Sequence, residues 1–200
     1  MQGTIQLRTK RLLLRRTTLD DVEILYRELG CNPAMIRYTC WNPYDTLESA
    51  RRKVENDIRD YDNADSYAWI IQAGNEVIGT IGAYGYDPEM SSIELGYSIF
   101  QKFWGQGFAS EAAAEVVRYL IMDEGINRVH AWCHVDNAAS AGVLTHAGMK
   151  QEGLLRQAMK NPDGTYADQK ILGIVREDYT NVPISSPQVS FLPDQEKDPG

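Results

Sequence analysis

The stretch that decides the fold is a turn with two glycines, Gln101-Lys102-Phe103-Trp104-Gly105-Gln106-Gly107-Phe108-Ala109-Ser110-Glu111-Ala112. The residues before it, 91–100, are rich in β-branched and aromatic side chains and predict a strand, whereas those after it have helical composition and spacing. Glycine lets the backbone approach a ligand closely, and the first N–H groups of a helix lack partners within it. The turn therefore predicts either a tight strand-to-helix connection or an anion site at the positive end of the helix dipole.

The composition is that of a globular protein with net negative charge. Its 200 residues are 43% hydrophobic, enough for one domain with a full core. A formal net charge of −8 gives no basic field for nucleic acid or an anionic membrane, and no apolar run reaches the length of a membrane span. Three cysteines without metal-ligand spacing predict a reduced, cytoplasmic setting, and no metal site is expected. We expect one domain over 1–180, as a monomer or homodimer, and a disordered or loosely docked tail at 181–200.

The rest of the chain predicts the element order β-α-α-β-β-β-α-β-α-β-β. The first helix has Thr18 or Asp20 as its N-cap, the second begins at Thr46, and the last is capped by Asp136 or Asn137. The first strand segment reads as one strand or two short ones. The strands are expected at about 5–16, 67–72, 77–84, 91–100, 128–135, 149–159 and 166–177, and the helix after the glycine turn at about 106–124.

Four local motifs occur in order along residues 4–180. They are Thr9-x-Arg11-Leu12-x-Leu14-Arg15 followed by Leu19-Asp20-Asp21; Glu94-Leu95-Gly96-Tyr97-Ser98-Ile99; Trp104-Gly105-Gln106-Gly107-Phe108-Ala109-Ser110-Glu111-Ala112; and Asn137-Ala138-Ala139-Ser140 with Gly148-Met149 and Glu152-Gly153. With the element order, they resemble the GNAT N-acetyltransferase superfamily, in particular its ribosomal-protein (RimJ/RimL-like) branch. The resemblance implies an α+β fold, the acyl-CoA N-acyltransferase fold. This fold has a mixed, mostly antiparallel seven-stranded sheet, about four flanking helices, and a splay between strands 4 and 5.

The resemblance also implies acetyl-CoA as the cofactor. The backbone amides of residues 105–110 are expected to bind the coenzyme A pyrophosphate, and Asn137 the pantetheine arm. Trp104 stands where the family often has Arg or Gln and adds no charge, so Ser110 and Lys102 are expected to assist. The expected cofactor-binding residues are Ile99, Gln101, Trp104, Gly105, Gln106, Gly107, Phe108, Ala109, Ser110, Asn137 and Ser140.

Acetyl transfer to an amine needs a base, an acid and a contact for the developing oxyanion. Glu94 on the fourth strand is the expected base, directly or through water; the alternative is a structural strand carboxylate. The Ile99 N–H, or a neighbouring one, is the expected oxyanion contact. By resemblance Ser140 is the expected acid, because Leu144 stands where many members carry a tyrosine. Met159 stands where the branch can carry an acidic residue, which favours an acceptor other than a ribosomal protein.

The acceptor side is expected to be built from the first two helices, the loop 35–44 and the closing strands. Its expected aromatic contacts, each of which could instead be core or rim packing, are Tyr38, Trp41, Tyr84, Tyr86 and Tyr166. The leading hypothesis is transfer to a primary amine by direct attack in a ternary complex, with a small-molecule amine favoured. A protein N-terminal (ribosomal-protein-like) acetyltransferase and a non-catalytic acyl-CoA-binding module are the alternatives.

Overall fold

An eight-stranded sheet with helices on both faces forms the centre of the computed structural model, which describes residues 1–39, 44–161 and 163–180. The strands are β1 (Leu7–Arg8), β2 (Leu12–Arg15), β3 (Tyr67–Ala73), β4 (Glu76–Asp87), β5 (Ser92–Ile99), β6 (Arg128–His134), β7 (Lys150–Lys160) and β8 (Tyr166–Val175). Their order is β1-β2-β3-β4-β5-β6-β8-β7, and each neighbouring pair is antiparallel except β5–β6. The expected tail at 181–200 and the expected acceptor contact Trp41 lie outside the described residues.

The helices begin where the sequence supplies capping side chains. They are α1 (Val22–Leu25, between the 3-10 turn Leu19–Asp21 and the π turn Tyr26–Gly30), α2 (Pro33–Ile36), α3 (Leu47–Asp60), α4 (Phe108–Arg118, continued by the π turn Tyr119–Asp123), α5 (Ala138–His146) and α6 (Arg176–Thr180). The Thr46 side chain accepts the Ser49 N–H at the start of α3, and the Asn137 side chain accepts the Ser140 N–H at the start of α5. No helix in the described ranges is long and apolar enough to cross a membrane.

Three details of the architecture differ from the sequence prediction. The N-terminal segment forms two short paired strands, one of the two possibilities that the sequence leaves open, so the sheet has eight strands rather than the expected seven. The short helix α2 occupies a segment predicted to be irregular, where Asn32 caps the helix and Pro33 fits its first position. The last strand ends at Val175 rather than at 177, because the Arg176 N–H leaves the ladder to bond the Asn127 carbonyl at 2.8 Å and α6 begins there.

The sheet opens between β5 and β6, which are the predicted strands 4 and 5, as the family resemblance implies. The parallel pairing covers only Ser92–Glu94 against Arg128–His130. Beyond that point β6 stays paired with β8 along its full length, while β5 stays paired with β4. The two central strands therefore diverge after Glu94, and a wedge opens towards the glycine turn.

The two faces of the sheet are covered by different cores. One core packs against α4, whose inner side chains Ala112, Ala113, Val116 and Val117 have no solvent exposure. The other packs against α1 and α3 and contains Val22, Leu25, Ala50, Val54, Ile70 and Phe100. Because side chains alternate along a strand, β5 directs Leu95, Tyr97 and Ile99 to the α4 core and Glu94 to the α3 face. This alternation puts the expected base on the opposite face from the glycine turn's helix.

Candidate active site

The glycine turn leads into α4, whose first backbone N–H groups have no acceptor within the helix. Gly105 and Gly107 have φ values of 72° and 76°, a left-handed conformation that glycine adopts without steric cost. Gly107 is the N-cap, and the Glu111 N–H donates to its carbonyl at 3.1 Å, so the N–H groups of residues 108–110 have no acceptor within the helix. A Cβ at Gly105 would point into open space. Free donors at the positive end of an 11-residue helix fit a pyrophosphate group.

Trp104 folds back from the turn onto the end of β5. Its indole N–H donates to the Ile99 carbonyl at 2.6 Å, while 49% of the side chain stays exposed. Gln101 accepts a hydrogen bond from the Asn32 side chain at 2.9 Å, and Lys102 lies 3.8 Å from Glu76 in an exposed ion pair. Trp104 and Gln101 therefore hold the turn in place, and their contact with the cofactor stays a prediction.

The Ile99 backbone faces the opening of the sheet. The Phe100 N–H donates to the Ile78 carbonyl of β4 at 2.8 Å. In an antiparallel pair the bonded residues alternate, so the neighbouring Ile99 directs its N–H and C=O groups away from β4. That is the side on which β6 has diverged. The Ile99 carbonyl accepts the hydrogen bond from the Trp104 indole. The Ile99 N–H is directed into the wedge, as the predicted oxyanion contact requires.

Tyr97 of β5 and Ser140 of α5, the helix that follows β6, contact each other across this wedge. Asn137 fixes the first turn of α5 by accepting the Ser140 N–H at 3.0 Å. The Tyr97 hydroxyl of β5 lies 2.9 Å from Ser140 Oγ and donates to the Ser140 carbonyl at 3.2 Å. Burial, opposed by the hydrogen bond to Ser140, raises the pKa of Tyr97 to about 12, so the phenol keeps its proton at neutral pH. Tyr97 is not among the site residues predicted from the sequence, although its even spacing from Ile99 places both residues on one face of β5.

A cleft of about 580 Å³ lies on the other face of the sheet. It is bounded by α2, α3, β4, β5 and Trp132 of β6, and Glu94 and Tyr84 project into it. Glu94 remains exposed at the mouth of the cleft, yet partial burial raises the pKa of its carboxyl, while a hydrogen bond with the Trp132 side chain opposes that rise. A carboxylate with a raised pKa is better matched to proton transfer near neutral pH than an ordinary one.

The inner surface of α3 makes the cleft acidic. Asp57 and Asp60 line it together with Glu94, and Lys53, which forms an ion pair with Asp57, is the basic residue among the described lining residues. Burial raises the pKa of Asp57, and Lys53 opposes that rise. Three carboxyl groups facing one ammonium group leave an excess of negative charge that attracts a cation.

The expected aromatic contacts divide between the cleft and other surroundings. Tyr84 lines the cleft: a Cβ on Gly82 would lie 2.6 Å from its hydroxyl oxygen, and one on Gly96 3.2 Å from its ring. The Tyr38 ring instead lies tilted against the His134 ring, with the two ring centres 5.1 Å apart. Tyr86 packs against the α4 core, and Tyr166 is 63% exposed on β8. These three side chains lie outside the lining of the cleft. Two glycines thus make room for Tyr84 beside Glu94.

Comparison with known proteins assigns the family. Residues 11–150 match the family model described as an acetyltransferase (GNAT) domain. The chain belongs to the GNAT family. Two GNAT relatives are the uncharacterized N-acetyltransferase YoaA from Bacillus subtilis (strain 168), 33% identical over 85% of this chain and 96% of its own, and the uncharacterized N-acetyltransferase p20 from Bacillus licheniformis, 30% identical over 86% and 96%.

A solved GNAT structure has the same fold. It is RimL, a ribosomal L7/L12 α-N-protein acetyltransferase in complex with coenzyme A, with a TM-score of 0.79, 24% identity, and coverage of 86% of this chain and 98% of RimL. The family, the fold, the acyltransferase class and acetyl-CoA as cofactor are thereby confirmed as the sequence predicts.

Proposed function

We propose that this GNAT protein transfers the acetyl group of acetyl-CoA to a small-molecule primary amine held in the acidic cleft, by direct attack in a ternary complex. The observation that carries the proposal is the arrangement of β5. Glu94 projects from it into the cleft on the α3 face, while the Ile99 N–H of the same strand is directed into the wedge. A base and a backbone donor on one strand can therefore act on reactants that meet at the opening of the sheet.

The residues that would hold the cofactor surround this opening. Acetyl-CoA supplies the activated acetyl group when it is bound. The amides of residues 105–110 are suited to its pyrophosphate, because Gly105, Gln106 and Gly107 are exposed and the N–H groups of the half-buried residues 108–110 lack helical acceptors. The Ile99 N–H and the Asn137 side chain border the wedge and are the candidates for its remaining polar groups.

Protons move at two places in this proposal. Glu94 accepts a proton from the ammonium form of the acceptor, which makes the amine nucleophilic. The hydroxyl pair of Tyr97 and Ser140 holds a proton on the other side of the wedge, where a leaving thiolate needs one. Burial raises the pKa of the Cys133 thiol, which disfavours its thiolate as a nucleophile and supports direct attack.

Size and charge favour a small amine as the acceptor. A cleft of about 580 Å³ lies within the range that binds small molecules, roughly 300–1,000 Å³. Its carboxyl groups from Asp57, Asp60 and Glu94 attract an ammonium group. Position 159 carries a methionine with 6% exposure, where the ribosomal-protein branch can carry an acidic residue. It therefore adds no carboxylate to a protein-acceptor site.

A protein N-terminus is the second candidate acceptor. The likeness of the fold to RimL supports it, because RimL is a ribosomal L7/L12 α-N-protein acetyltransferase. A peptide N-terminus also offers an ammonium group to Glu94, and the mouth of the cleft where Glu94 is exposed is accessible to a chain end.

The deciding experiment measures coenzyme A release with a panel of acceptors. The panel contains diamines, amino sugars, amino acids and peptides with free N-termini, each at equal concentration with saturating acetyl-CoA. We expect the highest kcat/KM with a small amine. Turnover confined to peptides would favour the second candidate, and binding of coenzyme A without turnover of any amine would favour the non-catalytic module.

A further inference from the structure

The connection between β1 and β2 is hydrogen-bonded to the start of α4. The Arg11 Nε donates to Glu111 Oε2 at 2.6 Å, and the Arg11 backbone N–H donates to Glu111 Oε1 at 2.9 Å. Thr9 Oγ1 donates to the same Glu111 oxygen at 2.5 Å. The guanidinium also lies 4.5 Å from the centre of the Phe108 ring. Residues about 100 positions apart in the chain therefore form one hydrogen-bonded unit.

Arg11 makes one further contact, which reaches the glycine turn itself. Its Nη1 donates to the Gln106 carbonyl at 2.9 Å. This carbonyl belongs to the peptide that joins Gln106 to Gly107, and the peptide is trans. In a trans peptide the C=O and N–H groups point in opposite directions. Holding the Gln106 oxygen on Arg11 therefore holds the Gly107 N–H on the opposite side, immediately before the free amides of α4.

We propose that Arg11 is a positioning residue for the cofactor loop, because it sets the orientation of the 106–107 peptide and so aims the Gly107 N–H at the coenzyme A pyrophosphate. This inference rests on the proposed function, since it takes the loop as the pyrophosphate site. It assigns to the N-terminal motif a role in donor binding. Without Arg11, the peptide before a left-handed glycine has more than one orientation open to it.

The contribution of Arg11 is geometric more than electrostatic. The Glu111 carboxylate, with Oε2 at 2.6 Å from Arg11 Nε, neutralises the charge of the guanidinium. Partial burial raises the pKa of Glu111, but the hydrogen bonds from Thr9 and Arg11 outweigh it and hold that pKa below its usual value. Lysine at position 11 would keep the charge, but a single ammonium group cannot reproduce a planar fork that bonds Glu111 and Gln106 together.

The test compares Arg11→Lys with Arg8→Lys. Arg8 is a matched control because it is exposed and lies on β1, three residues away. The affinity for coenzyme A is measured by calorimetry, and kcat/KM is measured with acetyl-CoA and with S-acetylpantetheine, which lacks the pyrophosphate. For Arg11→Lys we expect the affinity for coenzyme A and kcat/KM with acetyl-CoA to fall about tenfold, which is about 1.4 kcal/mol. The value of kcat/KM with S-acetylpantetheine and the parameters of Arg8→Lys should stay within about twofold of wild type.

Two outcomes would overturn the inference and leave the proposed function intact. One is an Arg11→Lys variant that binds coenzyme A like wild type; the other is an equal loss with both donors. Failure of the wild-type protein to bind coenzyme A would overturn the proposed function together with the inference. Glu111→Gln provides an independent variant, because it loosens Arg11 without changing it and should weaken coenzyme A binding in the same direction.

Discussion

Replacing Glu94 by glutamine tests the proposed base with little disturbance of the fold. The side chain is exposed at the mouth of the cleft, and the amide oxygen of glutamine can still accept a hydrogen bond from Trp132. A substitution at such a site changes the free energy of unfolding by about 0.5 kcal/mol or less, so Tm should shift by about 2 °C at most. The affinity for coenzyme A should not change, because Glu94 faces α3 and the cofactor loop adjoins α4.

The expected loss of activity follows from the protonation of the acceptor. An amine with a pKa of about 10 is free in roughly one molecule in a thousand at pH 7 and one in ten at pH 9. A positioned base contributes about 10²- to 10⁴-fold. We expect Glu94→Gln to lower kcat about 10²- to 10³-fold at pH 7, and the deficit to shrink to about tenfold or less at pH 9, where more of the amine is already deprotonated.

The pH profile of the wild type gives a second readout. Because burial raises the pKa of Glu94, its basic form is lost as the pH falls through a value above that of an exposed glutamate, and kcat/KM should decline there. The glutamine variant should lack this acid limb. Glu89→Gln, an exposed carboxylate in the turn after β4, serves as the control and should keep wild-type kinetics. A deficit below threefold at pH 7, or one that is constant from pH 7 to 9, would refute the assignment of Glu94 as base.

Three further predictions concern other parts of the molecule. Tyr97→Phe should lower kcat about tenfold without changing coenzyme A affinity, because Ser140 loses the hydroxyl at 2.9 Å; equal kcat in steady-state assays would refute the proton-holding role. Gly107→Ala should cost about 1–2 kcal/mol at a φ of 76°, seen in calorimetry as a Tm lower by roughly 2–8 °C, together with weaker coenzyme A binding. Asp21→Asn should cost about 2 kcal/mol at pH 7 in urea unfolding, because the uncharged amide has a single acceptor oxygen and can keep only one of the two hydrogen bonds that Arg15 donates to the buried carboxylate at 2.7 and 2.9 Å. Burial raises the pKa of Asp21, but the hydrogen bonds from Arg15 outweigh it and lower that pKa, so the stabilisation is complete above about pH 4 and is lost as the pH falls through the folded value; a gap between variant and wild type that persists in acid would contradict this.

Local features of the sequence determine the helices, the strands and the glycine turn. The side chains of Thr46 and Asn137 cap helices where they stand, since a cap needs only residues two or three positions away. Gly105 and Gly107 adopt the left-handed conformation that makes the turn, which depends on the absence of their own side chains. The alternation of β5 likewise follows from the strand itself. These features suffice to predict the order of strands and helices, and together with the family resemblance they imply the site for acetyl-CoA.

Contacts between distant residues were decided only by the tertiary structure. The link from Arg11 to Glu111 and to the Gln106 carbonyl depends on where β1 and β2 lie relative to α4. The pairing of Tyr97 with Ser140 depends on how far β5 and β6 diverge, and the acidity of the cleft on which side of α3 faces the sheet. Such proximities arise from packing and strand register, to which no local pattern of residues corresponds. The glycine turn therefore predicts a possible anion site from the sequence alone, and the family resemblance implies acetyl-CoA as its ligand, whereas the residues that orient the turn and surround the acceptor are brought together only when the chain folds.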